Sequence, residues 1–284
     1  MTGVLSRFDH LTILVRDLPA AVSGYERLLG TPPRWRGDQP ELGLASALFG
    51  VGNAIIELAA PLHDGEASAG LREHLSARGE GLHALAFGTD SASDCSSQLR
   101  SRGLRVTPPA ASTASGQDGH VREYQVVELS PRASRGLPVL IVERPDAWQL
   151  MAAEPVPGVP APVVALDHVV VRSADLDAAV ALYRDGLGIR LALDKQLANT
   201  RMLFFRVGGV TLEVVSDVTS GAQDTFYGAA YRVNDLEAAQ QRMQRAGLDV
   251  SDVRAGRKAG TFVFSVRQGT SGVPTLIIRD PSRD

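Results

Sequence analysis

The chain has 284 residues, of which 44% are hydrophobic, and a formal net charge of −3 at pH 7. A chain of this length suits one large domain or two medium-sized domains, each able to bury a core. No basic patch runs along the sequence and no apolar run reaches the ~18 residues of a membrane span, so we expect neither nucleic acid nor membrane as a partner. The N-terminus has no signal-peptide core and the single cysteine, Cys95, fits a reducing compartment, so a cytoplasmic location is expected.

The first predicted element is a short strand in RFDHLTILVRD, where His10 enters an apolar run and Asp17 follows seven positions later. A helix is expected next, because Asp17 can cap its N-terminus and Gly30 can supply the positive φ of its C-cap. Two further strand candidates follow, ASALFGV and NAIIELAAP. This order of elements forms the first unit of the sequence.

The same order recurs three more times along the chain, with Asp90, Asp175 and Asp235 at the position of Asp17. Strands with a histidine begin near Gly81 and Leu166, and a fourth unit without one begins near Phe226. The repeat predicts an α+β protein of four βαβββ units. Because one unit leaves a sheet face bare, we expect the units to pair into two cupped-sheet lobes.

The stretch AAEPVPGVPAPV, with four prolines, separates the second unit from the third. It is typical of a semi-rigid linker. We therefore predict a first lobe over 1–150, a Pro-rich linker over 151–164 and a second lobe over 165–284.

Matching positions of the four units can be compared directly. The histidine position of the first strand holds His10, His83, His168 and Gly228. A charged position in the last strand of each unit holds Glu57, Glu143, Glu213 and Arg279. A carboxylate inside an apolar strand is costly unless it is paired or coordinates an ion.

The first two units together supply His10, Glu57, His83 and Glu143. Two imidazoles and two carboxylates are a suitable ligand set for one divalent cation, such as Zn, Ni, Co, Mn or Fe. The third and fourth units retain only His168 and Glu213, so we expect the second lobe to be degenerate and not to hold a metal in the same way. His74, in LREH, is expected to be a surface group or to line a cavity mouth.

These motifs resemble the vicinal oxygen chelate superfamily, which includes glyoxalase I, methylmalonyl-CoA epimerase, extradiol dioxygenases and bleomycin resistance proteins. The resemblance implies a cupped sheet around a metal held by His10, Glu57, His83 and Glu143. The segment from IIELAAPL to GLHALAF is similar to that of the epimerase, although Ala84 stands where the epimerase has a second histidine after His83. By the same resemblance, Glu41 falls at the place of a second catalytic glutamate.

A metal-bound carbonyl would favour removal of a proton from the adjacent carbon, and a nearby carboxylate can take that proton. Glu143 is the strongest candidate for this base, with Glu41 or Glu57 for the opposite face. The sequence thus favours a metal-dependent isomerase, epimerase or lyase that forms an enolate of a small carbonyl or acyl-thioester substrate. A resistance protein that sequesters its ligand and an extradiol-type dioxygenase remain as alternatives, and the protein could be a monomer or a homodimer.

Overall fold

The computed structural model describes residues 4–153, 156–197 and 200–281. Within these ranges the chain forms four consecutive units, each with one strand, a helix and three further strands. The predicted α+β class and the pairing of the units into two sheets are confirmed.

The first two units form one sheet. Its strands are β1 (Arg7–Leu14), β2 (Trp35–Gln39), β3 (Leu44–Gly50), β4 (Ile55–Pro61), β5 (Gly81–Gly88), β6 (Ala110–Gly116), β7 (Val121–Glu128) and β8 (Val139–Glu143). Its helices are α1 (Leu18–Leu29), α2 (Ala69–Arg78), α3 (Ala92–Ser101) and α4 (Ala147–Met151), with a 3-10 turn at Pro40–Leu42.

The third and fourth units form the other sheet. Its strands are β9 (Ala165–Ser173), β10 (Arg190–Leu197), β11 (Thr200–Val207), β12 (Val210–Ser216), β13 (Thr225–Arg232), β14 (Arg254–Ala255), β15 (Phe262–Val266) and β16 (Thr275–Arg279). Its helices are α5 (Leu176–Val180), continued by a π-helical turn at Ala181–Gly186, and α6 (Leu236–Arg245), with a 3-10 turn at Val218–Ser220.

The recurrent aspartates cap the helices, as their positions in the sequence suggest. The side chain of Asp17 accepts a hydrogen bond from the backbone N–H of Ala20, and Asp175 and Asp235 make the same bond in α5 and α6. In α3 the cap is Ser91, one residue after the recurrent aspartate. These bonds satisfy backbone donors that the first helical turn leaves without partners.

The two sheets differ in how they end. In the first lobe the order β1-β4-β3-β2-β6-β7-β8-β5 closes into a barrel, because β2 pairs with β6. In the second lobe the order β10-β11-β12-β9-β13-β16-β15-β14 leaves an open sheet. Helices α1, α3, α5 and α6 cover the core-facing side of the sheets, and the opposite side forms the inside of each cup, where α2 and α4 pack in the first lobe.

The lobes share a hydrophobic core and polar contacts. One continuous cluster of buried side chains includes Tyr25 and Leu28 of the first lobe and Tyr231 and Met243 of the second. The side chain of Asn53 pairs with the backbone N–H and C=O of Leu166, with both distances 2.9 Å. The relative position of the cups is therefore fixed by packing as well as by chain connectivity.

The predicted linker 151–164 lies between α4 and β9, and its residues 154–155 are outside the described residues. The first three residues of the predicted first lobe and the last three of the second are outside them as well. None of the helices in the described ranges is long and apolar enough to cross a membrane.

Candidate active site

The first-lobe cup is built around β1. Leu11 and Ile13 of this strand point into the shared core, so the alternation of the strand turns His10 and Thr12 to the inside of the cup. The pairing of β1 with β5 skips Asp9, which forms a β-bulge. Such a bulge re-aims neighbouring side chains and is common beside active sites.

His10 lies between two carboxylates. Its Nδ1 is 2.8 Å from Oδ1 of Asp9, and its Nε2 is 3.5 Å from Oε2 of Glu57. We name this arrangement of Asp9, His10 and Glu57 the first relay. The acceptor beside Nδ1 favours the tautomer that carries its proton on Nδ1. Nε2 is then the ring nitrogen that can gain or lose a proton, on the side of Glu57.

The buried carboxylate of Asp9 is held ionised by its neighbours. Burial alone would raise its pKa, but Arg144, His10 and Arg7 outweigh burial and lower the pKa to about 2. The Nε atoms of Arg144 and Arg7 each lie 3.3 Å from one of its oxygens. Asp9 thus stays anionic and can balance a positive charge on His10.

Glu57, on β4, is oriented by two hydroxyl groups. Thr12 donates to its Oε2 at 2.8 Å and Ser46 donates to its Oε1 at 3.0 Å. Its side chain is only 12% exposed, and that of His10 only 7%. The pair is therefore accessible to a small reacting group rather than to bulk solvent.

His83 lies near the first relay and contacts His74. The two imidazole rings meet edge to face with centroids 4.6 Å apart. Burial and, to a lesser extent, His74 lower the pKa of His83 to about 4 against the opposing effect of Glu57, so the ring is neutral at pH 7. Sequence reasoning left His74 as a surface or cavity-mouth residue, and the structure places it on α2 against His83.

The other two sequence-predicted residues lie elsewhere. Val139 and Ile141 of β8 belong to the shared core, and Glu143, two residues on, accepts a hydrogen bond from the N–H of Ala92 at 2.7 Å, at the start of α3. Glu41 is exposed in the 3-10 turn after β2. The structure therefore brings together His10 and Glu57, sets His83 beside them, and separates Glu143 and Glu41 from them.

Strand pairing sets a register that differs from the one read in the sequence. One residue in the first strand of each unit is skipped by the pairing, and these residues are Asp9, His83, Asp167 and Tyr227. The residues that follow them are His10, Ala84, His168 and Gly228. Three residues after each skipped residue, the first strand of the unit pairs with its last strand. The residues of the last strand at these pairs are Glu57, Leu140, Glu213 and Leu276.

Two consequences follow for the second unit. His83 matches Asp9 rather than His10, and Ala84 takes the place of His10. Leu140 takes the place of Glu57, whereas Glu143 is three residues further along β8. Because side chains alternate along a strand, an odd offset places Glu143 on the face opposite to Leu140.

The second lobe repeats the first relay. Nδ1 of His168 is 2.9 Å from Oδ2 of Asp167, and its Nε2 is 4.0 Å from Oε2 of Glu213. We name this the second relay. The two aspartates were missed in the sequence, although the dipeptide Asp-His recurs in the first and third units alone and could have revealed them.

Comparison with known proteins agrees with this architecture. Residues 8–187 match the model of the glyoxalase-like domain, and residues 165–283 match that of the glyoxalase/bleomycin resistance protein/dioxygenase superfamily. The chain belongs to this glyoxalase-like family. The fold is thus that of the glyoxalase/bleomycin resistance protein/dioxygenase superfamily.

Individual relatives cover different parts of the chain. An ethylmalonyl-CoA/methylmalonyl-CoA epimerase of Cereibacter sphaeroides is 30% identical over 103 residues, which are 36% of this chain and 75% of the relative. A mutant of 4-hydroxymandelate synthase from Streptomyces coelicolor has a similar fold, with a TM-score of 0.71 and 15% identity over 97% of this chain and 92% of its own. The methylmalonyl-CoA epimerase of Mycobacterium tuberculosis is 27% identical over 51% of this chain and 91% of its own, with a TM-score of 0.44.

Members of this superfamily typically use a divalent metal, which requires several donor atoms around one point. The first relay offers an imidazole and a carboxylate at 3.5 Å, with Asp9 behind the imidazole as in many metal sites. The second unit, however, presents Ala84 and Leu140 at the matching positions. Among the described residues no three His, Cys, Asp or Glu side chains are arranged to hold an ion. The residues present therefore do not fit a four-ligand metal centre.

Proposed function

We propose that the first lobe is an isomerase or epimerase that removes a proton from the carbon next to a carbonyl group, with His10 and Glu57 as its acid–base pair. The observation that carries the proposal is the contact of 3.5 Å between His10 Nε2 and Glu57 Oε2, with Asp9 on the far side of the ring. No step of the proposal runs through a metal ion.

The two groups suit complementary tasks. Glu57 is a carboxylate that can accept the α-proton, and its orientation is set by the hydroxyls of Thr12 and Ser46. A protonated His10 can donate a hydrogen bond to the substrate carbonyl oxygen, where negative charge develops as the proton leaves. The anionic Asp9 stabilises the imidazolium during that step.

The substrate class follows from the access to the pair and from the relatives. Because both side chains are almost fully buried, the reacting carbonyl must belong to a small group. An acyl thioester with a small acyl part is one such substrate, and the similarity to an ethylmalonyl-CoA/methylmalonyl-CoA epimerase supports it. A small 2-oxo compound is the other.

Proton exchange with D₂O tests the proposal directly. Wild-type protein should incorporate deuterium at the α-carbon of a 2-substituted acyl thioester or a 2-oxo acid, measured by ¹H NMR. Glu57→Gln keeps the shape of the side chain but removes the base, so exchange should fall by the ~10²–10⁴-fold typical of a lost general base. Glu128→Gln, an exposed carboxylate on β7, is the matched control and should exchange normally.

The same assay separates Glu57 from the base favoured by the sequence. If Glu143→Gln or Glu41→Gln abolished exchange while Glu57→Gln retained it, the assignment to Glu57 would be wrong. Tight binding of one panel member without any exchange would instead favour ligand sequestration. Oxygen uptake with a catechol would favour the dioxygenase class.

A further inference from the structure

A cavity lies at one rim of the first-lobe barrel, where β8 ends. Gln125 of β7 pairs with Glu143, the last residue of β8, and β7 extends past this pair to Val121. Because β8 stops there, the space beside this part of β7 is open. It forms a cavity of about 440 Å³, within the ~300–1,000 Å³ range of small-molecule sites.

Two guanidinium groups meet at one wall of this cavity, those of Arg7 and Arg144. Their Nε atoms each lie 3.3 Å from a different oxygen of Asp9, and each of the two side chains is 6% exposed. Two buried cations therefore share one buried carboxylate. One positive charge is left over at this wall.

Arg7 also has a hydrogen-bond donor to spare. Its guanidinium lies over Gly88 of β5, where a Cβ would come within 2.4 Å of the Cζ atom. Its Nε donates to Asp9 and its Nη1 to the hydroxyl of Ser6. Its Nη2 is buried and has no hydrogen-bond partner within the described ranges, which is costly for a charged group. A carboxylate group in the adjoining cavity would supply the missing acceptor.

Three carboxylates line the same cavity, those of Asp90, Glu123 and Glu143. Glu143 is held in place by the N–H of Ala92 at 2.7 Å, whereas Asp90 and Glu123 are exposed. These carboxylates would repel a simple anion, and the two guanidinium groups would repel a simple cation. A ligand that carries one charge of each sign satisfies both sets of groups.

An exposed aromatic side chain completes the lining. Trp148 of α4 is 67% exposed, although its ring is large and apolar. Tyr124 also contributes to the cavity, with the guanidinium of Arg144 at 5.2 Å from its ring centroid. Indole rings bind apolar groups by burial and by stacking. The third part of a matching ligand is therefore a large apolar group.

We propose that this cavity binds a zwitterionic α-amino acid with a large apolar side chain. The ligand carboxylate pairs with Arg7 and Arg144, the ammonium group lies among the three carboxylates, and the side chain packs on Trp148. Asp9 lies between these guanidinium groups and the ring of His10. The site is thus distinct from the reacting position between His10 and Glu57, and it goes beyond the proposed reaction.

Calorimetric titration of the full chain with three related probes tests the proposal. L-Phenylalanine carries both charges and an apolar ring, 2-phenylethylamine lacks the carboxylate, and 3-phenylpropanoate lacks the ammonium group. We expect one L-phenylalanine site per chain. The other two probes should each bind at least ~10-fold more weakly, the loss expected for a hydrogen bond to a charged group. This comparison uses the wild-type chain alone, so it does not depend on the folding of a variant.

Variants then assign the groups. Arg7→Met should weaken L-phenylalanine binding at least ~10-fold. Trp148→Ala should weaken it about 10-fold, typical of a lost aromatic contact. Glu123→Gln, at an exposed position, should weaken it about 2–5-fold, as for an exposed ion pair. Glu128→Gln is the matched control, because it makes the same change at an exposed position of β7 outside the cavity, and it should leave the affinity unchanged.

Three results would overturn the proposal. They are absence of L-phenylalanine binding, equal affinity for a probe that lacks one of the charges, and an equal loss of affinity in the Glu123→Gln and Glu128→Gln variants. The titrations require no turnover. A chain that binds L-phenylalanine but exchanges no α-proton of the acyl thioester or 2-oxo acid would disprove the reaction proposed for the first lobe and support this site, and the reverse result would do the opposite.

Discussion

The two lobes have the same strand order and the same relay of aspartate, histidine and glutamate, but one cup is closed and the other is open. In the first lobe, β2 and β6 join the ends of the sheet, and Leu150 and Met151 of α4 pack with Trp35 inside the barrel. In the second lobe the corresponding strands stay apart. The comparison connects closure of the sheet with glycines on the inner face of the first lobe, because a Cβ at Gly37 or Gly50 would collide with the backbone of Ser115 or Leu150.

The helix that fills the first cup provides the largest expected effect on stability. Met151 is 1% exposed and packs in a cluster with Trp35, Leu48 and Ile55. Met151→Ala should lower the free energy of unfolding by about 2–5 kcal/mol, the range for removing a large buried apolar side chain. Urea unfolding measures the change, and a loss well below 1 kcal/mol would mean that α4 does not contribute to closure of the barrel.

A substitution in β2, which closes the barrel by pairing with β6, replaces a residue of the first cup by its counterpart in the second. Gly37 pairs with Ser46 as Lys195 pairs with Met202 at the matching position of the second lobe. Gly37→Lys therefore introduces the second-lobe residue, and its Cβ would meet the backbone of Ser115. We expect a loss of about 1–3 kcal/mol, typical of overpacking, and weaker protection of the β2 and β6 amides in hydrogen exchange.

Gly70→Ala is the control for this variant. Gly70 lies in α2, and a Cβ added there would have no neighbouring atom within 4 Å, so the change should leave the protein as stable or about 0.5–1 kcal/mol more stable. If β2 and β6 keep full protection in Gly37→Lys, glycine at position 37 is not what permits closure.

The sequence was sufficient for the fold because its signals are local and repeated. Four strands followed by capping residues and amphipathic helices define four units, and the aspartate caps of α1, α5 and α6 lie where they were expected. The two-lobe arrangement then follows from the need to cover the face of each sheet.

The site was predicted only in part, because its residues depend on strand register. The structure places His10 and Glu57 next to each other, and both residues stand out from the pattern of one unit. In the second unit, the recurrent aspartate at position 90 is not the helix cap, and the cap at Ser91 shifts the apparent register by one residue. The sequence comparison aligned His83 with His10, whereas strand pairing aligns Ala84 with it. It likewise aligned Glu143 with Glu57, whereas strand pairing aligns Leu140, three residues earlier in β8.

The matching helices α3 and α6 give the smallest expected effect. Cys95, the fourth residue after the cap of α3, corresponds to Ala239, the fourth after the cap of α6, and both are buried. Burial raises the pKa of the Cys95 thiol from 9.0 to about 11. The thiol is therefore uncharged at neutral pH, and the matching position of α6 holds alanine. Cys95→Ala should lower the free energy of unfolding by only about 1 kcal/mol at neutral pH.

The stability of the wild type and of Cys95→Ala should depend differently on pH in the alkaline range. Because the folded pKa is raised, the unfolded chain releases the thiol proton first, so the wild type should lose stability as the pH rises from about 9 to about 11. Cys95→Ala lacks this thiol, so its stability should fall less over the same range. Thermal unfolding of both proteins at pH 8 and pH 10.5 measures the difference. Equal losses of stability in the two proteins would show that burial in the folded protein does not raise the pKa of the Cys95 thiol.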